Sequence, residues 1–174
     1  MGVSISLAGK NAIITGGAGG MGRCTARMLA EAGANVLVSD MDGDAAAKAA
    51  AEIAKDFGVR AIANTCNVAS KAEVDAMVAQ AVEAFGQVDI LNHVAGVFGA
   101  VDFLEATEED YDKQLNINTK GTFFVNQAVL KVMIPHRAGK IVNMCSHFFF
   151  YVFATNVFYT TSKFGVTGMT QSIA

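Results

Sequence analysis

The chain has 174 residues, 52% of them hydrophobic and 17% charged, and a formal net charge of -3. That length suits one domain with a substantial core, and that composition excludes a disordered segment. The weak negative charge offers no basic footprint to nucleic acid, and no apolar run is long enough to cross a membrane.

The N-terminal MGVSIS has the Gly2 and Ser6 spacing of a myristoylation pattern, a short pattern often met by chance, and no signal-peptide region. The cysteines Cys24, Cys66 and Cys145 are odd in number, far apart and without a C-x-x-C. They read as reduced, buried thiols of a cytoplasmic protein, with neither a disulfide frame nor a metal site.

Val-, Ile- and Ala-rich runs alternate with helical patterns along the whole chain, the signature of βαβ units on a parallel sheet. A strand over 11–15 (NAIIT) leads through a glycine-rich loop into a helix over 20–32. A second strand over 35–39 is followed by a helix over 43–57, and a third over 60–66 by a helix over 70–85. Ser70 with Glu73 reads as a capping box at the start of that helix. A fourth strand over 88–92 precedes a helical stretch over 107–135, in one piece or two. Thr107 before Glu108, Glu109 and Asp110 marks its start and Pro135 its stop, with His136 as a solvated cap. A fifth strand over 139–145 and a helix over 158–174 complete the chain. The expected fold is a single α/β domain over 1–174, a Rossmann-type doubly wound parallel sheet in three α/β/α layers. In a sheet ordered 3-2-1-4-5-6 a sixth strand should follow. The sequence stops before it, so the last strands of that fold are expected to be missing.

The loop TGGAGGMG, from Thr15 to Gly22, lies between a strand and a helix. Glycines there permit a tight turn and let backbone N–H groups approach a pyrophosphate, which the helix N-terminus stabilises. Asp40, at the end of the second strand, can accept hydrogen bonds from an adenosine ribose and would repel a 2′-phosphate. With no Arg or Lys in the loop, NAD rather than NADP is the expected cofactor. Asp40 has a plainer reading too, as a turn acid leading into MDGD.

Tyr159 and Lys163 stand four apart at a helix start and so share one face. A free Tyr titrates near pH 10, and a neighbouring ammonium favours its phenolate. Ser146 follows the fifth strand at its carboxyl end, where open α/β sheets place their ligands.

In this set the chain resembles the short-chain dehydrogenases/reductases, in their single-domain branch. TGGAGGMG matches the family's TGxxxGxG loop, including Gly16, Gly20, Met21 and Gly22. Asn67 and Val68 fall where the family has Asp-Val beside the adenine. The HVAG segment ending in Ala95 and Gly96 stands where NNAG is usual, with His93 and Val94 as departures. Asn118 in NTKG, Ser146 in IVNMCS, and YTTSK from Tyr159 to Lys163 match three further motifs. The resemblance implies that Tyr159 exchanges a proton with the substrate oxygen while Lys163 lowers its pKa and holds the nicotinamide ribose. It implies that Ser146 bonds the substrate oxygen and that Asn118 positions a water linking Lys163 to solvent. Hydride then passes between nicotinamide and a secondary alcohol or ketone without a metal.

Two other readings compete: a non-catalytic nucleotide-binding fragment, and a 3-oxoacyl carrier-protein reductase, which Asp40 disfavours. A homodimer or homotetramer is expected through the helices near 120–135 and 158–174, where Gly165 and Gly168 permit close approach. The aromatic run HFFFYVFATNVF, from His147 to Phe158, reads as a greasy wall for an apolar substrate, as packing, or as an aggregation-prone window.

Overall fold

The computed structural model describes residues 5–174, apart from the side chain of Phe149, so Gly2 of the myristoylation pattern lies outside the described residues. Five parallel strands form one sheet in the order β3-β2-β1-β4-β5: β1 (Asn11–Thr15), β2 (Asn35–Asp40), β3 (Ala61–Thr65), β4 (Ile90–His93) and β5 (Lys140–Asn143). Between them run α1 (Gly20–Glu31), α2 (Gly43–Phe57), α3 (Lys71–Phe85), α4 (Glu108–Gln114) and α5 (Gly121–Met133), and α6 (Val157–Ser172) follows β5. The order reverses at β1, which pairs with both β2 and β4, and this opens a crevice at the carboxyl end of the sheet.

β1 is buried throughout, with an apolar centre at Ala12, Ile13 and Ile14, because helices cover both of its faces. Its alternate residues feed two cores. Ile13 joins Leu37, Met77, Leu91 and Val125 on one side, whereas Ala12 and Ile14 join Ala26, Val36, Val38 and Ile53 on the other. Alanines along α1 and α2 let those helices lie close to the sheet. At the opposite end, buried Asp89 accepts from the backbone N–H of Asn11 at 2.9 Å and pairs with Lys10 at 3.2 Å, fastening β4 to β1.

The elements fall where the pattern places them, with local differences. The stretch over 107–135 is two helices joined by a π-helical turn over Leu115–Lys120, where the Gly121 N–H donates to Asn116 O, five residues back. Thr107 and Asp110 form the reciprocal capping box of α4. Ser70 caps α3 by accepting from Glu73 N, but no such box exists there: the Glu73 carboxylate reaches past Ser70 to accept from Asn67 N at 2.8 Å. Cys24 is exposed rather than buried, because its position on α1 faces away from the sheet; Cys66 is buried and Cys145 half-buried. His136 is exposed as expected, in a 3-10 turn after α5. Gly165 makes its close approach within the chain, since a methyl group there would lie 3.0 Å from Thr119 Cγ2. Gly168 faces open space. β5 forms one edge of the sheet, and Val142 on it is 55% exposed.

Leu91 is fully buried at the centre of β4, whereas Leu104 is 88% exposed in the following loop. Leu91→Ala should lower unfolding free energy by about 2–5 kcal/mol, and Leu104→Ala should change it by less than about 0.5 kcal/mol, as read by urea denaturation.

Candidate active site

A trough of about 350 Å³ runs along the crevice. It is lined by Gly16, Gly20, Met21, Gly22, Asp40, Asn67, Val68, Ala95 and Gly96, nine of the eleven residues expected from sequence at the cofactor; the other two, Tyr159 and Lys163, do not line it. Thr15, Gly19, Ser39, Met41, Cys66, Val94, Val97 and Ile117 also line it. Most of these are neighbours of motif residues, but Ile117 reaches the trough from the π-helical turn, a placement that no local pattern announces. Burial pushes the Cys66 thiol up to about 11, so it is an inert part of the wall.

The glycines have distinct tasks. Gly16 adopts φ +64°, and a side chain there would press on Ala95 N at 2.9 Å; a methyl at Gly22 would collide with the carbonyl oxygen of Gly16. Both are needed for backbone to pass backbone. Gly20 differs: a methyl there would meet no protein atom within 4 Å, yet the residue opens α1 and faces the trough. Packing against other elements does not demand a glycine at that point. Asp40 sits at the other end of the trough. One carboxylate oxygen accepts from Ala18 N at 3.0 Å and the other from Asp42 N at 3.2 Å. It is therefore both the turn acid and a fixed acceptor, with lone pairs left for ribose hydroxyls.

Gly96 joins this trough to the second cluster. A methyl on it would lie 3.0 Å from Asn118 Oδ1 and 3.5 Å from Lys163 Nζ. Lys163 is buried, donates to Met144 O at 2.8 Å, and holds its ammonium 5.8 Å from the centre of the Tyr159 ring. Burial lowers its pKa. The Ser146 hydroxyl accepts from Phe148 N at 3.3 Å, which leaves its proton free to donate. The structure thus brings Tyr159, Lys163, Ser146 and Asn118 to the carboxyl end of β4 and β5.

The Asn118 side chain is wholly committed. Its amide oxygen accepts from Val97 N at 2.8 Å, and its nitrogen donates to Val97 O at 2.9 Å and to Ser162 Oγ at 2.9 Å. Only its main-chain carbonyl remains for chemistry, and one lone pair of that oxygen already accepts from Thr122 Oγ1 at 2.5 Å.

His93 is a residue whose role the sequence did not reveal. Its ring is fully enclosed between Thr15 Oγ1, 2.7 Å from Nδ1, and Thr122 Oγ1, 3.0 Å from Nε2. Because Thr122 spends its proton on Asn118 O, its oxygen must accept from His93, which fixes the proton on Nε2. Nδ1 then accepts from Thr15, whose oxygen in turn accepts from Ala95 N at 3.3 Å. The result is one directed chain, Ala95 to Thr15 to His93 to Thr122 to Asn118. It ties the glycine loop to the π-helical turn. Burial, with the Lys163 charge added, pushes the His93 pKa down to about 3.

Among the described residues no group of three or more His, Cys, Asp or Glu side chains could hold a metal ion, and no helix is long and apolar enough to cross a membrane.

Residues 10–174 match the family model described as short chain dehydrogenase. The chain is 39% identical over 163 residues to the (2S)-[(R)-hydroxy(phenyl)methyl]succinyl-CoA dehydrogenase subunit BbsD of Thauera aromatica, covering 94% of this chain and 65% of that protein. It is 35% identical over 172 residues to the 3-oxoacyl-[acyl-carrier-protein] reductase FabG of Aquifex aeolicus, covering 99% of this chain and 69% of that one. The crystal structure of NAD+-bound xylitol dehydrogenase superposes with a TM-score of 0.92 at 34% identity, over 96% of this chain and 64% of its own. The chain thus spans about two thirds of the length of the proteins it matches.

The unfolded imidazole titrates at its ordinary 6.5, whereas the folded His93 ring stays neutral down to about pH 3. Between those values the unfolded state holds the extra proton, so acidification favours unfolding. Stability should fall as pH drops below about 6.5. His93→Gln keeps one acceptor and one donor but cannot titrate, so its acid limb should be flatter in urea melts between pH 7 and pH 4. An identical pH dependence in parent and variant would show that His93 does not carry this effect.

Proposed function

This chain belongs to the short-chain dehydrogenase/reductase family, and on that premise we propose that it is an NAD-dependent oxidoreductase acting on a secondary alcohol or ketone. The observation that carries the reading is Gly96, the shared wall where the trough beginning at Asp40 meets Lys163 and Asn118. Cofactor and acid–base groups thereby belong to one cleft. The residues present fit a dinucleotide, given the open space in front of Gly20 and the oriented Asp40 carboxylate. When bound, NAD would supply or accept the hydride.

The protein's own groups handle position and protons. The free hydroxyl proton of Ser146 is suited to bond the substrate oxygen. The Tyr159 hydroxyl gives a proton to that oxygen in reduction and takes one back in oxidation, with the ammonium of Lys163 5.8 Å from its ring centre. The remaining lone pair of the Asn118 carbonyl serves to order water beside Lys163. Gly20, Met21 and Gly22 offer backbone to the pyrophosphate, while Asn67 and Val68 flank the adenine end and Ala95 the ribose end.

The reading extends to a cytoplasmic setting, which the free thiols support, and to a homodimer or homotetramer. Assembly is supported by exposed Phe123, Ile134 and Ile173 on and beside α5 and α6, and by the edge position of β5. Light scattering at micromolar concentration should return a multiple of the chain mass; a clean monomer would reject assembly.

NAD(H) should bind at least about tenfold more tightly than NADP(H), because Asp40 repels a 2′-phosphate. Fluorescence titration of NADH and NADPH checks this, and equal or reversed affinities would sink the assignment. Tyr159→Phe should reduce kcat by about 10²- to 10⁴-fold with little change in NADH affinity, whereas Lys163→Ala should impair both.

A further inference from the structure

The structure assigns a recognition site for an aryl group to four rings, Tyr159 with Phe98, Phe148 and Phe153, an inference that rests on the reading above and names its substrate as an aryl-substituted secondary alcohol or ketone. Phe98, in the loop after β4, stands 5.0 Å from the Tyr159 ring at 74°. Phe148, just past Ser146, stands 5.6 Å from it at 82°. The two phenylalanines are themselves 6.3 Å apart, and Phe153 packs edge-on to Phe148 at 5.6 Å. Tyr159 is therefore boxed by rings on two sides, yet Phe98 remains 59% and Phe153 55% exposed.

Exposed aromatics are common on proteins, but few are held as Phe98 is. The residue before it, Val97, is gripped through both N–H and C=O by the buried amide of Asn118. The residue after it, Gly99, is gripped in the same way by the buried amide of Gln114, at 3.2 Å and 3.3 Å. Val101 N then donates to Thr155 O at 2.8 Å, which joins this loop to the segment that carries Phe153. Two buried amides and a cross-loop bond thus fix a ring that buries little of its own surface. Such prior ordering is what a contact needs if it is to bind at low entropic cost.

The chemistry of the box selects its ligand. Apart from the Tyr159 hydroxyl the four rings carry no polar atom, and no Asp, Glu, Lys or Arg occurs in 94–101 or in 141–162. A polyol entering here would leave hydroxyls unpaired, which is strongly disfavoured. A flat apolar ring gains edge-to-face contacts with Phe98 and Phe148 while its adjacent oxygen reaches Ser146 and Tyr159. His147 stacks on Phe148 at 4.7 Å and extends the aromatic wall outward.

The test titrates the whole chain, loaded with NADH, with acetophenone, cyclohexyl methyl ketone and xylitol, followed by ligand-observed NMR. Acetophenone should bind roughly three- to tenfold more tightly than cyclohexyl methyl ketone, with xylitol weakest. Phe98→Leu keeps an apolar side chain without a π-face and should erase that difference, and Phe98→Ala should weaken acetophenone further, with NADH affinity reporting that each variant is folded. Failure of acetophenone to bind, preference for xylitol, or an unchanged ratio in Phe98→Leu would overturn the inference. Turnover separates the two levels of the reading. Acetophenone binding without any reduction would reject the oxidoreductase and leave the aryl site standing. Oxidation of xylitol or 2-butanol by the chain supplied with NAD+ in place of NADH, without acetophenone affinity, would keep the oxidoreductase and reject the aryl site.

Discussion

The amide of Asn118 is the point at which three distant stretches of chain are held together. It clamps the loop after β4 through Val97 and reaches α6 through Ser162, while its own backbone lies in the π-helical turn between α4 and α5. Being buried, it must have every donor and acceptor met, so its partners cannot drift independently. The π turn is part of the same solution. One wider turn lets α4 and α5 follow each other while Asn118 projects inward at the mouth of the cleft. Without that fixed amide, Gly96 would not keep Lys163 and the trough against a common wall.

His93 adds a second tie beneath the first, and it bears on the electrostatics of the site. A charged imidazole would sit close to the Lys163 ammonium and would lose the acceptor that the Thr15 hydroxyl needs. The neutral Nε2-protonated ring avoids both. It spans from the strand that launches the glycine loop to the hydroxyl that bonds the Asn118 carbonyl. The planar imidazole bridges two threonines from opposite sides and so makes a rigid junction.

The aromatic segment is where the surface departs most from ordinary soluble-protein chemistry. Phe150, Tyr151 and Val152 are exposed between two short 3-10 turns, so within the chain they are not core packing. Phe148 turns the other way, toward Tyr159. One run of similar residues therefore divides into rings that shape the site and rings that face outward. The outward set lies in an uncharged stretch, which carries an aggregation hazard.

Much of this was legible in the sequence because it rests on local periodicity and spacing. The alternation of apolar strands and helical patterns gives the parallel sheet, since a strand covered on both faces reads as a nearly continuous apolar run. The glycine loop, Asp40, and the i,i+4 pair of Tyr159 and Lys163 are short-range features whose geometry follows from the element that carries them. What the sequence could not supply were interactions between residues far apart in the chain. The exposure of Cys24 and the use of Gly165 against Thr119 depend on how neighbouring elements approach one another. The same holds for His93, whose hydroxyl partners come from positions 15 and 122, and for Phe98 and Phe148, which meet each other and Tyr159 across the fold. Local sequence sets the direction of each strand and helix. The partners of a buried ring or amide are decided by the packing of elements, where every enclosed polar atom must find a mate across the fold.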